Sequence, residues 1–191
     1  MNKLNDKKAR LIVFTAPSGS GKTTIAKKIL NDYSNIEFSV SATTRGRREN
    51  EVHGRDYYFI SEEEFQQKIN NNEFVEWEKF YDYHYGTLKS VIDEKLGKGI
   101  SVVFDIDVKG AENIKKQYPD SVVIFVMPPS LEELKRRLTE RKTESDADFE
   151  KRINRAEMEL TYCDKFDFKV INEILEDAVK EVKKIIDDKI N

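Results

Sequence analysis

The chain has 191 residues, of which 36% are charged and 38% hydrophobic, with a formal net charge of −3. This length suits one domain with room for a small inserted subdomain, and the acidic balance argues against a general nucleic-acid binder. A single cysteine, Cys163, excludes an intrachain disulfide and any cysteine-based zinc cluster. No apolar run approaches the roughly 18 residues of a membrane span, so a soluble, cytoplasmic protein that needs no membrane is expected.

The basic start, MNKLNDKKAR, is followed by only about six apolar residues before Pro17, too few for the core of a signal peptide. Residues 11–16 form an expected strand that feeds APSGSGKTT at 16–24, and a helical pattern opens at 22–32. This order of strand, Gly/Ser loop, Lys-Thr and helix suits one task, the wrapping of polyphosphate. Gly19 and Gly21 let the loop curl through backbone angles closed to other residues. The loop Ala16-Pro17-Ser18-Gly19-Ser20-Gly21 then makes a nest of backbone N–H groups, and the helix beginning Lys22-Thr23-Thr24 adds its positive dipole end. Lys22 would reach the β- and γ-phosphates, and the Thr23 hydroxyl would ligate Mg²⁺. The usual pattern G-x-x-x-x-G-K-[ST] has glycine where this chain has Ala16. The competing reading is an exposed Gly/Ser turn.

Residues 37–87 break the alternation of strands and helices. Short strands (FSVS, DYYFI, FVEWEKFY) surround one helix from Ser61 to Asn71, begun by the capping box Ser61–Glu64. The segment reads as a mixed α+β insertion. Beyond it, apolar runs at 100–105, 121–126 and 167–171 are expected strands buried on both faces of a parallel sheet. Helical patterns lie near 108–117, 130–142 and 148–163, and the acidic stretch 142–148 reads as the turn of a lid hairpin. A last helix, 174–190, carries an apolar stripe suited to docking on the sheet. The whole implies a doubly wound α/β core with right-handed crossovers.

Lysines are scattered, but nine of the ten arginines fall in two windows: 45–55 and 136–155. Arginine forks onto phosphate oxygens better than lysine. Segregated arginines in an acidic chain point to a phosphate-ester enzyme with two anion-binding regions beyond the loop. Arg47, Arg55, Arg136 and Arg155 read as ordinary surface arginines.

Several motifs in register, APSGSGKTT at 16–24, SVSATTRGRRENEVHGRDYYF at 39–59, FVEW at 74–77, HYGT at 84–87 and DID at 105–107, resemble those of the guanylate kinase family. The resemblance extends over nearly the whole chain. It implies a P-loop kinase that phosphorylates GMP with ATP and Mg²⁺, as a monomer or homo-oligomer. It also implies a P-loop core (1–36, 88–136 and 157–191), a GMP-binding subdomain (37–87) and a lid (137–156).

By position in those motifs, Ser41, Glu76, Thr87 and Asp107 would read guanine. The chemistry agrees: carboxylates suit the N1–H and 2-amino donors, and hydroxyls suit O6. Taken singly, Glu76 could be a surface strand residue and Asp107 a helix N-cap. Arg45, Arg48, Tyr57 and Tyr85 would grip the GMP phosphate, and Glu51 would orient the arginines. On the donor side the resemblance implies Asp105 as the acidic partner of Mg²⁺, directly or through water. Arg141 and Arg152 would be lid arginines over the ATP phosphates, and Asn172 an adenine contact. Arg137 would either join the lid arginines or pack beside the adenine. Many relatives have glycine where this chain has Lys142. A non-catalytic scaffold domain of the same fold is the alternative, as is a P-loop kinase acting on a sugar phosphate.

Overall fold

Apolar β-runs need cover on both faces, and the computed structural model supplies it. The structure describes residues 8–140 and 146–190, with backbone alone for 146–148. In chain order the elements are β1 (Leu11–Thr15), α1 (Lys22–Asp32), β2 (Ile36–Phe38), β3 (Ala42–Thr43), β4 (Tyr58–Phe59), α2 (Glu62–Asn70), β5 (Phe74–Phe80) and β6 (Tyr83–Leu88). They continue with α3 (Lys89–Gly97), β7 (Ser101–Asp105), α4 (Val108–Gln117), β8 (Val122–Met127), α5 (Leu131–Glu140), α6 (Asp146–Leu160), β9 (Phe168–Ile171) and α7 (Leu175–Ile190).

The central sheet runs β2-β7-β1-β8-β9, every pair parallel. Alternation along β1 divides the core in two. Ile12 and Phe14 pack with Ile25, Ile29 and the α7 residues Ala178, Val182 and Ile186. Leu11 and Val13 pack on the opposite face with Ile92, Ala111 and Ile114 from α3 and α4. The expected doubly wound α/β architecture is therefore present. Parallel strands also all point one way, which brings the loops after β1 and β7 to the same edge. That edge is where open α/β sheets bind ligands.

The second sheet runs β4-β3-β6-β5, with β3 parallel to β4 and antiparallel to β6. Helix α2 covers one of its faces through Phe65, which is fully buried and stacked on Phe74 at 4.3 Å between ring centres. Its N-cap is the expected one: Ser61 Oγ accepts from Glu64 N at 3.1 Å. The opposite face carries the polar side chains. An irregularity in β5 decides which residues go where. Phe74 is paired with Leu88 and Glu76 with Thr87, so one extra residue sits between them as a β-bulge. Phe74 and Glu76, two apart, would otherwise share a face; the bulge sends Phe74 beneath α2 and Glu76 to the polar side.

The strand expected over FSVS (38–41) is replaced by two: β2, which ends at Phe38 and extends the parallel sheet, and β3, which begins at Ala42 in the second sheet. Two further elements are absent from the sequence reading. Strand β6 pairs with β5, and α3 follows it directly. The lid turn expected at 142–148 lies mostly outside the described residues. Helices α5 and α6 on either side of it pack through Leu134, Leu138, Ile153 and Ala156.

Replacing Phe65 with alanine removes the ring that joins α2 to the second sheet, at an expected cost of about 3–5 kcal/mol. Urea unfolding followed by far-UV circular dichroism checks this. A midpoint equal to wild type would show that α2 does not depend on this contact.

Candidate active site

The loop after β1 takes the form its glycines permit. Gly19 and Gly21 have φ of 91° and 87°. A Cβ on Gly21 would collide with the Asn172 amide, whose Nδ2 donates to Ser20 O at 2.8 Å. Asn172 thus reaches the loop from just beyond β9, and its own carbonyl accepts from Arg137 Nη2 at 3.0 Å. Gly21 caps α1 in a left-handed conformation with no side-chain hydrogen bond, and the first turn of α1 holds no acidic residue. The first N–H groups of α1 therefore lack a side-chain partner and retain the positive helix end, as an anion site requires.

Lys22 Nζ lies 2.6 Å from Asp105 Oδ1 and donates to Ile106 O at 2.7 Å. Thr23 Oγ1 donates to Asp105 Oδ2 at 2.6 Å. The β1–β7 ladder sets this meeting, because Phe14 is in register with Asp105. A cleft of about 400 Å³ extends from the loop, lined by residues including Ser18, Lys22, Thr23, Asp105, Asp107 and Arg152. Arg152 Nη2 donates to Ser18 Oγ at 2.9 Å. Arg141 and Lys142 lie outside the described residues.

A second cleft of about 450 Å³ opens over the polar face of the second sheet. It is lined by Ser41, Tyr57, Glu76 and Tyr85, and it shares Asp105 with the first. Thr87 lies buried behind Glu76 and donates to its Oε1 at 2.7 Å. Glu51 joins two of the expected phosphate residues: its Oε1 accepts from Arg45 Nη2 at 2.6 Å and its Oε2 from Arg48 N at 2.8 Å. The Arg45 guanidinium also stands 5.4 Å from the Tyr57 ring centre. Arg45, Arg48 and Glu51 flank this cleft without lining it.

Asp107 borders the first cleft rather than the second. It is the N-cap of α4, its Oδ1 accepting from Gly110 N at 2.9 Å. The bland alternative for this residue is therefore realised, though the cap occupies only one oxygen. Three side chains at the site escaped the sequence reading. Glu78 follows Glu76 on the same face of β5 and lines the second cleft. Arg155, expected among surface arginines, lines the first cleft together with Glu159. The signal was available, since Arg152, Arg155 and Glu159 are spaced to share one face of a helix.

The donor set fits Mg²⁺. Thr23 Oγ1 and Asp105 Oδ2 are hard oxygens 2.6 Å apart, near enough to share one ion, and Mg²⁺ is held by one or two carboxylates plus phosphates and water rather than a full protein cage. Among the described residues no cluster of three His, Cys, Asp or Glu could hold a metal by itself.

Comparison with known proteins adds the following. A family model described as guanylate kinase matches residues 8–189. A guanylate kinase from Chlorobium luteolum is 48% identical over 174 residues, covering 91% of this chain and 88% of the relative. One from Thermotoga maritima is 46% identical over 179 residues, covering 94% and 86%. The crystal structure of guanylate kinase from Anaplasma phagocytophilum superposes with a TM-score of 0.70 at 31% identity, covering 97% of this chain and 88% of that one.

Desolvation holds the Glu76 carboxyl above its ordinary 4.5, against the Thr87 hydrogen bond that lowers it, and Glu78 and Asp107 add repulsion. A carboxyl raised in the folded state favours folding fully below its unfolded value. That contribution is lost as pH rises through the raised value. Glu76→Gln, which still accepts from Thr87, should therefore melt higher than wild type at neutral pH. The gap should close as pH falls toward about 4.5. Thermal melts across that range check it, and a constant gap would exclude titration of Glu76 as the cause.

Proposed function

The chain belongs to the guanylate kinase family, and we propose that it transfers the γ-phosphoryl group of ATP to GMP, giving ADP and GDP. The observation that carries this reading is the meeting of two clefts at Asp105. One is walled by a polyphosphate loop, the other by carboxylate, hydroxyl and phenol groups. In this reading the loop 16–24, Lys22, Arg137, Arg152 and Asn172 bind ATP, joined by Arg141. Ser41, Glu76, Thr87 and Asp107 read guanine, while Arg45, Arg48, Tyr57 and Tyr85 hold its phosphate with Glu51 behind them.

The acceptor oxygen of GMP is already anionic, so the reaction needs no general base. The protein's task is alignment and charge compensation. Lys22 and Arg152 supply fixed positive charge where negative charge spreads over the equatorial oxygens. Arg45 and Arg48 offset the GMP dianion while the phenols donate without adding charge. Thr23 and Asp105 would hold Mg²⁺, which neutralises the ATP phosphates when bound. Helix α6, which carries Arg152, is expected to close over the donor and exclude the water that would waste ATP.

No helix among the described residues is long and apolar enough to cross a membrane. A cytoplasmic enzyme working on free nucleotides, without nucleic acid or membrane as a partner, completes the proposal.

Lys22→Met should leave a folded protein whose transfer rate falls about a thousandfold or more, the usual loss for a preorganised charge at the reacting group. A coupled ADP-release assay measures it, and retention of half the activity would sink the loop's assignment. The same assay with different acceptors tests the name of the substrate. Guanine and adenine present opposite donor and acceptor patterns at N1 and position 6. A site built for one should reject the other by about 10⁴ in kcat/KM. Comparable use of AMP and GMP would refute the guanine reading and leave the kinase reading standing.

A further inference from the structure

Arg152 and Arg155 sit three residues apart on α6 and face the first cleft together, but they reach different partners. Arg152 extends to Ser18 in the phosphate loop. Arg155 turns to Asp107, with Nη2 3.4 Å from Oδ2. The two arginines thus connect one helix to both halves of the reaction.

We propose that Arg155 is a positioning residue for base recognition: it holds Asp107 ready to accept from the guanine 2-amino group and ties that carboxylate to the helix carrying Arg152. This rests on the guanine-reading role given to Asp107 above.

Three observations carry the inference. First, Arg155 is itself anchored. Its Nε donates to Glu159 Oε1 at 2.9 Å, and Glu159 is only 3% exposed. A planar guanidinium fixed at one edge by a buried carboxylate presents its other edge in a set direction. Second, Asp107 is held from two sides, Oδ1 by the Gly110 amide and Oδ2 by Arg155. A carboxylate oxygen has two acceptor sites, so each retains capacity for a ligand donor. Third, Glu76, Glu78 and Asp107 gather three negative groups around the same region, and both Glu78 and Asp107 act electrostatically on Arg155. Three carboxylates repel one another unless a cation is shared among them. Arg155 supplies a cation from α6 to two of them, Glu78 and Asp107.

A surface arginine paired only with its helical neighbour would affect every acceptor alike. A residue that aims Asp107 at the 2-amino group affects only acceptors that carry it. IMP, which keeps O6 and N1–H but lacks the 2-amino group, separates the two cases. The experiment measures kcat/KM for GMP and IMP, and KM for ATP, in wild type, Arg155→Ala and Arg155→Lys. Wild-type turnover of GMP is established first, so failure of the kinase reading would appear before any variant is compared. Arg155→Ala should lower the GMP/IMP ratio by about tenfold, the scale of one hydrogen bond to a charged group; any change in KM for ATP is common to both acceptors and cancels in the ratio. Arg155→Lys keeps the charge without the fork and should retain part of the ratio. Equal losses with GMP and IMP in Arg155→Ala, leaving the ratio unchanged, would overturn the proposal.

Discussion

The contact on which the site depends is the one between Lys22, the first residue of α1, and Asp105, the last of β7, 2.6 Å apart. Both side chains are largely withdrawn from water, where an unpaired charge would be costly. Each therefore serves as a stand-in for something of the opposite character. For Lys22 the carboxylate occupies the place of a phosphate. For Asp105 the ammonium occupies the place of a cation. An incoming nucleotide with its metal ion would satisfy both partners at once, so the exchange leaves no charge stranded. The β1–β7 register that aligns Phe14 with Asp105 is what sets this pair, and the two clefts meet at it.

Much of this was legible from the chain. Continuous apolar runs announced the parallel sheet, because a strand covered on both faces has no polar side to show. The phosphate loop was legible because glycine, lysine and threonine have few reasons to occur in that order between a strand and a helix. Short or weakly patterned elements were not. Strand β2 is three residues long with only Ile36 buried, and α3 buries only Ile92 and starts without a side-chain cap. Neither leaves the periodicity by which an element is found. Arg155 was misjudged for another reason: its surroundings contain a partner, Asp107, that lies 48 positions away.

The second sheet divides its labour by face. Beneath α2, Phe65, Phe74 and His84 stack into a rigid base. On the other side, Glu76, Glu78 and Tyr85 face the cleft. The aromatic base lets the polar face keep its shape while carrying groups that repel one another and resist desolvation. Glu76 is the clearest case, a carboxyl whose environment disfavours its charge and whose neighbour Thr87 compensates only in part, through its hydroxyl and its backbone. Such a group is held at a cost to stability that a neutral donor–acceptor ligand can partly offset.

The bulge between Phe74 and Glu76 has a bearing on how this protein can change over generations. Point substitutions along β5 alter one side chain and leave the others where they are. Loss of the extra residue at Val75 would leave Phe74 and Glu76 adjacent and still on opposite faces, whereas a strand of unchanged length paired without the bulge would turn Trp77 into the cleft and Glu76 and Glu78 toward the aromatic base. Such a strand can drift in composition, and even shed its extra residue, so long as Glu76 stays opposite Thr87. That register is thus as much a part of the site as any carboxylate the strand carries.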